Sequence, residues 1–174
     1  MLIKAYGTFW NPDIVDWGKR GPGNKGQLLG CVTKDDGYSY EIDFWDAQGI
    51  YVLLSEFRAI YVGQSGNSMG KRLRDHLTDR FAGRWDMFSW FSVSGVRTTT
   101  FDVSAPGQRQ FGPKVMIDTL EALGILIADP ALNRKRESLK GALEAVQPEN
   151  ALPKTIRSYL EELLDKVTSI DGKT

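Results

Sequence analysis

The chain contains one cysteine, one histidine and no net charge, and each scarcity excludes something. Cys31 stands alone, so no intrachain disulfide forms, and a reduced, cytoplasmic setting is expected. One Cys and one His cannot build a Cys/His zinc site. Any metal must therefore be a hard cation such as Mg²⁺ or Mn²⁺, held mainly by oxygen. No apolar run reaches the ~20 residues of a membrane span. Met1-Leu2-Ile3-Lys4-Ala5 does not open a charged region followed by an apolar one, so neither a membrane partner nor a secretory signal is expected.

The zero net charge argues against nucleic acid only until its distribution is read. Residues 1–46 carry five Lys/Arg against seven Asp/Glu. Residues 58–84 carry Arg58, Lys71, Arg72, Arg74, Arg80 and Arg84 against only Asp75 and Asp79. Arg97, Arg109 and Lys114 outnumber Asp102 over residues 97–114. Phosphate responds to a local positive face rather than to the total. Lys71, Arg74, Arg80 and Arg84 are the candidate nucleic-acid contacts, with a solvated helix face as the plain alternative.

With 174 residues and 41% apolar content the chain can bury one ordinary core. Leu2–Trp10 reads as a strand. Leu28–Thr33 and Tyr38–Trp45 read as a hairpin around an Asp-Gly turn. Gly49–Leu54 and Ala59–Gly63, rich in Ile, Val, Leu and Tyr, read as a buried antiparallel pair. Ser68 is a candidate N-cap for a helix over Met69–Phe81, with Leu73 and Leu77 on its buried stripe and Arg72 and His76 on a neighbouring face. Met87–Val93 reads as a third aromatic strand and Val103–Gly112 as a loop. Helices are predicted over Lys114–Ala128, Arg134–Val146 and Thr155–Val167. This is an α+β pattern in three parts: a β-rich extension over 1–46, a core over 47–136 and a helical extension over 137–174. Trp10, Trp17 and Trp45 are expected to form a small core within the extension. Trp85 and Trp90, beside Arg84, offer an aromatic and basic edge for nucleic acid, or simply strand packing.

Tyrosines, an arginine, one histidine and scattered carboxylates are an unusual set. Phosphodiester hydrolysis needs a deprotonated water, stabilised charge on phosphorus and help for the leaving oxygen. The basic half has no dense carboxylate cluster for two metals, so one metal with a tyrosine base and an arginine is the available alternative. A tyrosine near its ordinary pKa of about 10 serves as a base only if neighbours stabilise its phenolate or take its proton.

Gly49-Ile50-Tyr51, Tyr61-Val62-Gly63, Arg72 with His76 four residues on, Glu121 on the long helix and Asn133 after it occur in that order. In this the chain resembles the GIY-YIG nuclease superfamily over about half its length, with Val in place of the usual middle Ile of the second signature. The resemblance implies a small sheet of three antiparallel strands flanked by helices. It implies Tyr51 as general base, His76 orienting or deprotonating it, Tyr61 lining the site and contacting phosphate, and Arg72 stabilising the transition state. Glu121 would hold one divalent ion, Mg²⁺ or Mn²⁺, and Asn133 would brace the site. The expected function is metal-dependent endonucleolytic cleavage of nucleic acid, with DNA the expected substrate. The alternatives are a catalytically silent nucleic-acid-binding module of the same fold and a protein-binding domain. Each site residue also has an ordinary alternative: strand aromatics for the tyrosines, helix surface for His76 and Glu121, an N-cap for Asn133.

Overall fold

The structure, a computed structural model, describes residues 2–148 apart from positions 20, 22, 24, 34–36, 98, 109 and 129–138. It is a mixed α+β fold. The strands are β1 (Ala5–Trp10), β2 (Leu29–Thr33), β3 (Ser39–Asp43), β4 (Gly49–Ser55), β5 (Arg58–Ser65), β6 (Met87–Ser92), β7 (Gly95–Val96), β8 (Val103–Ser104) and β9 (Leu143–Glu144), and the helices are α1 (Met69–Asp75) and α2 (Pro113–Ala128). Among the described residues, five strands form one sheet in the order β5-β4-β6-β1-β9, while β2 with β3 and β7 with β8 form separate pairs. No described helix is long and apolar enough to cross a membrane.

The sheet is wider than three strands. The first strand of the chain pairs antiparallel with β6, Tyr6 facing Phe91 and Gly7 facing Trp90, so the N-terminal segment supplies part of the central sheet. On its other side β1 pairs with β9 in parallel. That strand lies where the sequence reads as a helix over Arg134–Val146, of which residues 134–138 lie outside the described residues. The cause of the difference is the open edge of β1. Its carbonyls at Lys4 and Tyr6 accept from the Leu143 and Ala145 N–H groups, and Gly141 at φ 77° turns the chain beforehand. The helix predicted over Thr155–Val167 also lies outside the described residues.

Side-chain alternation divides the sheet into two faces. Tyr51, Leu53, Phe88 and Trp90 join Trp10, Phe44, Trp45, Met69 and Leu73 in one core. Val52, Leu54, Phe91, Tyr6 and Ala122 form the other, with Ile50, Leu123, Leu126 and Ile127 packed against it. Helix α1 therefore covers the Tyr51 face and α2 the opposite one. Trp10 and Trp45 serve the central core instead of a separate N-terminal one, and Trp85, Phe88 and Trp90 are buried there too. The expected aromatic edge for nucleic acid is thus interior.

The β4–β5 hairpin turns through Glu56 and Phe57, both at positive φ (50° and 64°), which matches the right-handed strand twist without glycine. Leu54 then faces Ala59, but Leu53 faces Tyr61. Ile60 is the extra residue of a bulge, and a one-residue offset decides which side chains share a face. Through it Tyr61 and Gly63, rather than Ile60 and Val62, lie beside Leu53 and Tyr51.

Helix α1 begins as predicted, with the Ser68 side chain accepting from Lys71 N. It ends at Asp75, six residues short of the predicted stop. The Thr78 hydroxyl and the Asp79 carboxylate both bond the local backbone in the turn that follows, and such side chains compete with continued helix. As a result Leu77 is 37% exposed instead of continuing the Leu73 stripe.

Candidate functional site

Four of the predicted site residues come together at α1 and the β4–β5 pair. Tyr51 is 0% exposed and His76 2% exposed. The Tyr51 hydroxyl stands 2.7 Å from His76 Nε2. His76 is the C-cap of α1, so the early helix end places its ring against the sheet. Tyr61 packs beside both, its ring centroid 6.2 Å from that of Tyr51 and 5.4 Å from that of His76 at an edge-on angle. Phe81 closes the cluster, 4.5 Å from Tyr61 and 5.2 Å from His76.

Gly63 makes room for this arrangement. It faces Tyr51 directly across the β4–β5 ladder, and a Cβ there would lie 2.3 Å from both Cζ and Oη of Tyr51. The second glycine of the tyrosine-glycine pattern is thus the floor on which the phenol rests. Gly49 is equally constrained: a Cβ would meet the Phe91 carbonyl oxygen at 2.0 Å.

Burial pushes the Tyr51 phenol up to about 12, with the Arg72 guanidinium opposing the rise and Tyr61 adding to it. A free phenolate is therefore disfavoured, and a route for the proton matters more than spontaneous ionisation. His76 Nε2 stands within hydrogen-bond reach of that proton. Beyond the ring, Asp79 Oδ2 lies 2.6 Å from His76 Nδ1, and Asp79 Oδ1 accepts the Phe81 N–H at 2.7 Å. Burial works against ionisation of Asp79, but the Phe81 N–H and His76 outweigh it, so the carboxyl lies below its usual range.

Arg72 and Lys71 line an open cleft of about 700 Å³ at the Gly49 end of β4. Its walls also include Gln48, Gln64, Ser65, Asn67 and Asp75. The lining mixes polar and apolar surface, the latter from Ile50 and Val93, and carries two cations and one carboxylate, so a phosphate there would meet a net positive wall. Lys71 and Arg72 are exposed there.

The remaining predicted residues fare differently. Arg74 is half-buried: its guanidinium lies 5.4 Å from the Trp45 ring centroid and donates to the Trp17 carbonyl at 3.3 Å. It ties the N-terminal segment to α1. Arg80 sits over the Phe81 ring at 4.7 Å, and Arg84 is exposed in the following turn. Glu121 is exposed on α2, whose buried side packs against the sheet face opposite Tyr51, and it is not among the cleft residues. Asn133 lies outside the described residues. Among the described residues no group of three or more His, Cys, Asp or Glu is placed to share a cation.

The sequence reading passed over Asp79 and Phe81. Their signal is local: Asp79 follows the only histidine by three residues, one helical turn on. Comparison of the chain with family models, with curated proteins and with solved structures found no match.

Proposed function

We propose that the chain is a phosphodiester hydrolase acting on nucleic acid, with DNA the expected substrate, built on a core of the GIY-YIG kind. The observation that carries this reading is the buried hydrogen bond between Tyr51 and His76, set beside a guanidinium that lines an open cleft. The antiparallel β4, β5 and β6, with α1 following β5, support the same reading.

In this reading a substrate phosphate lies against Lys71 and Arg72. Arg72 stabilises the charge that develops on the phosphoryl oxygens. Tyr51 takes a proton from the attacking water as its own proton passes to His76 Nε2. Tyr61 packs the phenol and imidazole rings into place.

The divalent ion belongs to the proposal through Glu121. One exposed carboxylate is no cage, but a hard cation is commonly held by one or two carboxylates with phosphate oxygens and water completing the shell. The place of Glu121 on α2, outside the cleft and on the helix that packs against the sheet face opposite Tyr51, does not by itself bring that carboxylate to the phosphate, so such an ion would be held largely by substrate oxygens and water. When bound, such an ion supplies a Lewis acid to the phosphate and leaving oxygen.

Plasmid DNA, single-stranded DNA and RNA incubated with Mg²⁺, Mn²⁺ or EDTA test the proposal. Metal-dependent cutting by the native chain, and its loss in Tyr51→Phe and Arg72→Ala, is the expected result. Full-rate cutting by Glu121→Ala removes that residue from the metal site. Complete closure of Tyr51 from solvent favours a second reading, a catalytically silent nucleic-acid-binding module of the same fold. Gel-shift binding without cutting under any of the metal conditions establishes that reading instead.

A further inference from the structure

We propose that Asp79 is a positioning residue of this site. Its carboxylate fixes His76 in the tautomer that carries its proton on Nδ1, leaving Nε2 as the acceptor for the Tyr51 proton. The consequence for activity rests on the hydrolase reading above; the tautomer itself rests on geometry alone.

Both Asp79 oxygens are committed. Oδ1 accepts the Phe81 N–H at 2.7 Å, and Oδ2 faces His76 Nδ1 at 2.6 Å. An ionised carboxylate can only accept, so Nδ1 must be the donor. A neutral imidazole protonated on Nδ1 has a bare lone pair on Nε2. The 2.7 Å contact at Nε2 is then the Tyr51 O–H donating to it. The opposite tautomer would set an Nδ1 lone pair against a carboxylate and would remove the acceptor from Tyr51. The ring has no freedom to turn away, because Tyr61 and Phe81 stand edge-on against it at 5.4 and 5.2 Å.

During turnover the water O–H bond breaks and its proton goes to the Tyr51 oxygen, while the Tyr51 proton bonds to Nε2. The hydroxide forms the new bond to phosphorus, the bond to the leaving oxygen breaks, and the departing alkoxide takes a proton from solvent. His76 is then an imidazolium paired with the Asp79 carboxylate until it returns its proton to solvent. Asp79 thus acts twice through His76 without touching substrate: first by setting the tautomer, then by stabilising the cation.

Asp79→Asn separates this role from a merely structural one. Asparagine has a single oxygen, and the Phe81 N–H requires it. Its amide N–H₂ then faces Nδ1 and drives the proton to Nε2, reversing the hydrogen bond to Tyr51 while keeping the turn. His76 is the only histidine in the chain, so ¹⁵N-histidine labelling yields one imidazole to read. The expected result is a pyrrole-like Nδ1 and a pyridine-like Nε2 in the native protein, exchanged in Asp79→Asn. Cleavage is expected to fall on the order of 10⁴-fold, by analogy with loss of the orienting carboxylate in a catalytic triad, with DNA binding nearly unchanged. An Nε2-protonated His76 in the native protein overturns the proposal by itself, even if the variant does not fold. An unchanged tautomer in a folded Asp79→Asn also overturns it. Absence of cleavage by the native chain counts against the hydrolase reading, while the ¹⁵N spectra still decide the role of Asp79.

Discussion

The Tyr51 hydroxyl lies 2.7 Å from Nε2 of His76, and both side chains are closed off from solvent. The burial of Tyr51 shapes how the protein responds to pH. Because burial raises Tyr51 from its ordinary value near 10 to about 12, the folded state binds this proton more tightly than the unfolded state. The associated stability is fully present below about pH 10 and is lost as pH rises toward 12. Asp79, held below its usual range, acts in the opposite direction: its stability is present above the ordinary carboxyl pKa near 4 and fades as pH falls further. Alkaline titration followed by tyrosinate absorbance should show a late-titrating tyrosine that Tyr51→Phe removes. The same substitution strips His76 Nε2 of its partner and should cost roughly 1–3 kcal/mol of stability, as for other buried groups left unsatisfied. A Tyr51 that titrates with the exposed tyrosines contradicts the burial argument.

Gly63→Ala tests the floor under the phenol. The added methyl would meet Tyr51 Cζ and Oη at 2.3 Å, and the ring has little room to move, since Trp90 faces Tyr51 from the adjacent strand. Overpacking of this kind costs about 1–3 kcal/mol. The expected outcome is a lowered melting temperature together with loss of the Tyr51–His76 hydrogen bond, read as a change in the His76 ¹⁵N shifts. Gly66→Ala, at a glycine whose Cβ would meet open space, should leave both unchanged.

Much of this was legible in the residues, and the exceptions share a cause. The Tyr51, Tyr61, Arg72 and His76 grouping is what the resemblance to the GIY-YIG superfamily implies, and it lies within reach because it is built from two adjacent strands and the helix after them. Ser68 as N-cap was likewise local chemistry. What escaped was non-local or depended on competition. The β9 strand forms because β1 presents an open edge, a fact invisible within residues 139–148. The bulge at Ile60 depends on where the hairpin register closes. The end of α1 at Asp75 reflects Thr78 and Asp79 competing for the backbone, which the apolar spacing of Leu73 and Leu77 does not record. The three tryptophans assigned to a separate N-terminal core were misplaced for the same reason as β9: the sheet, not sequence proximity, decides what they pack against.

Gly70→Ala probes how α1 is seated. A methyl at Gly70 would lie 2.1 Å from Cε3 of Trp45, and the same turn donates its Met69 and Gly70 N–H groups to the Ala47 and Trp45 carbonyls. Trp45 is buried, so the helix is expected to relieve the clash by lifting off its ring, which moves His76 with it. A fall in thermal stability with a parallel loss of cleavage is expected. Unchanged stability would show that the Trp45 ring yields instead.

Arg72 and Arg74 stand two residues apart on α1, and the structure assigns them opposite tasks. Arg72 is exposed at the cleft and acts on the Tyr51 phenol electrostatically. Arg74 is occupied by the Trp45 ring and the Trp17 carbonyl. Arg72→Ala should therefore abolish cleavage with little change in stability and should push Tyr51 ionisation to still higher pH, because the opposing charge is gone. Arg74→Ala should lower stability by about 1 kcal/mol, the scale of a partly exposed cation–π contact with its hydrogen bond, and should spare affinity for DNA. Lys71 belongs with Arg72: Lys71→Ala should weaken DNA binding and reduce its salt dependence, since a contact to phosphate releases counterions. Binding isotherms across a salt series, beside melting curves for the three variants, separate these effects. A salt slope that falls in Arg74→Ala and holds in Lys71→Ala would reverse the assignment.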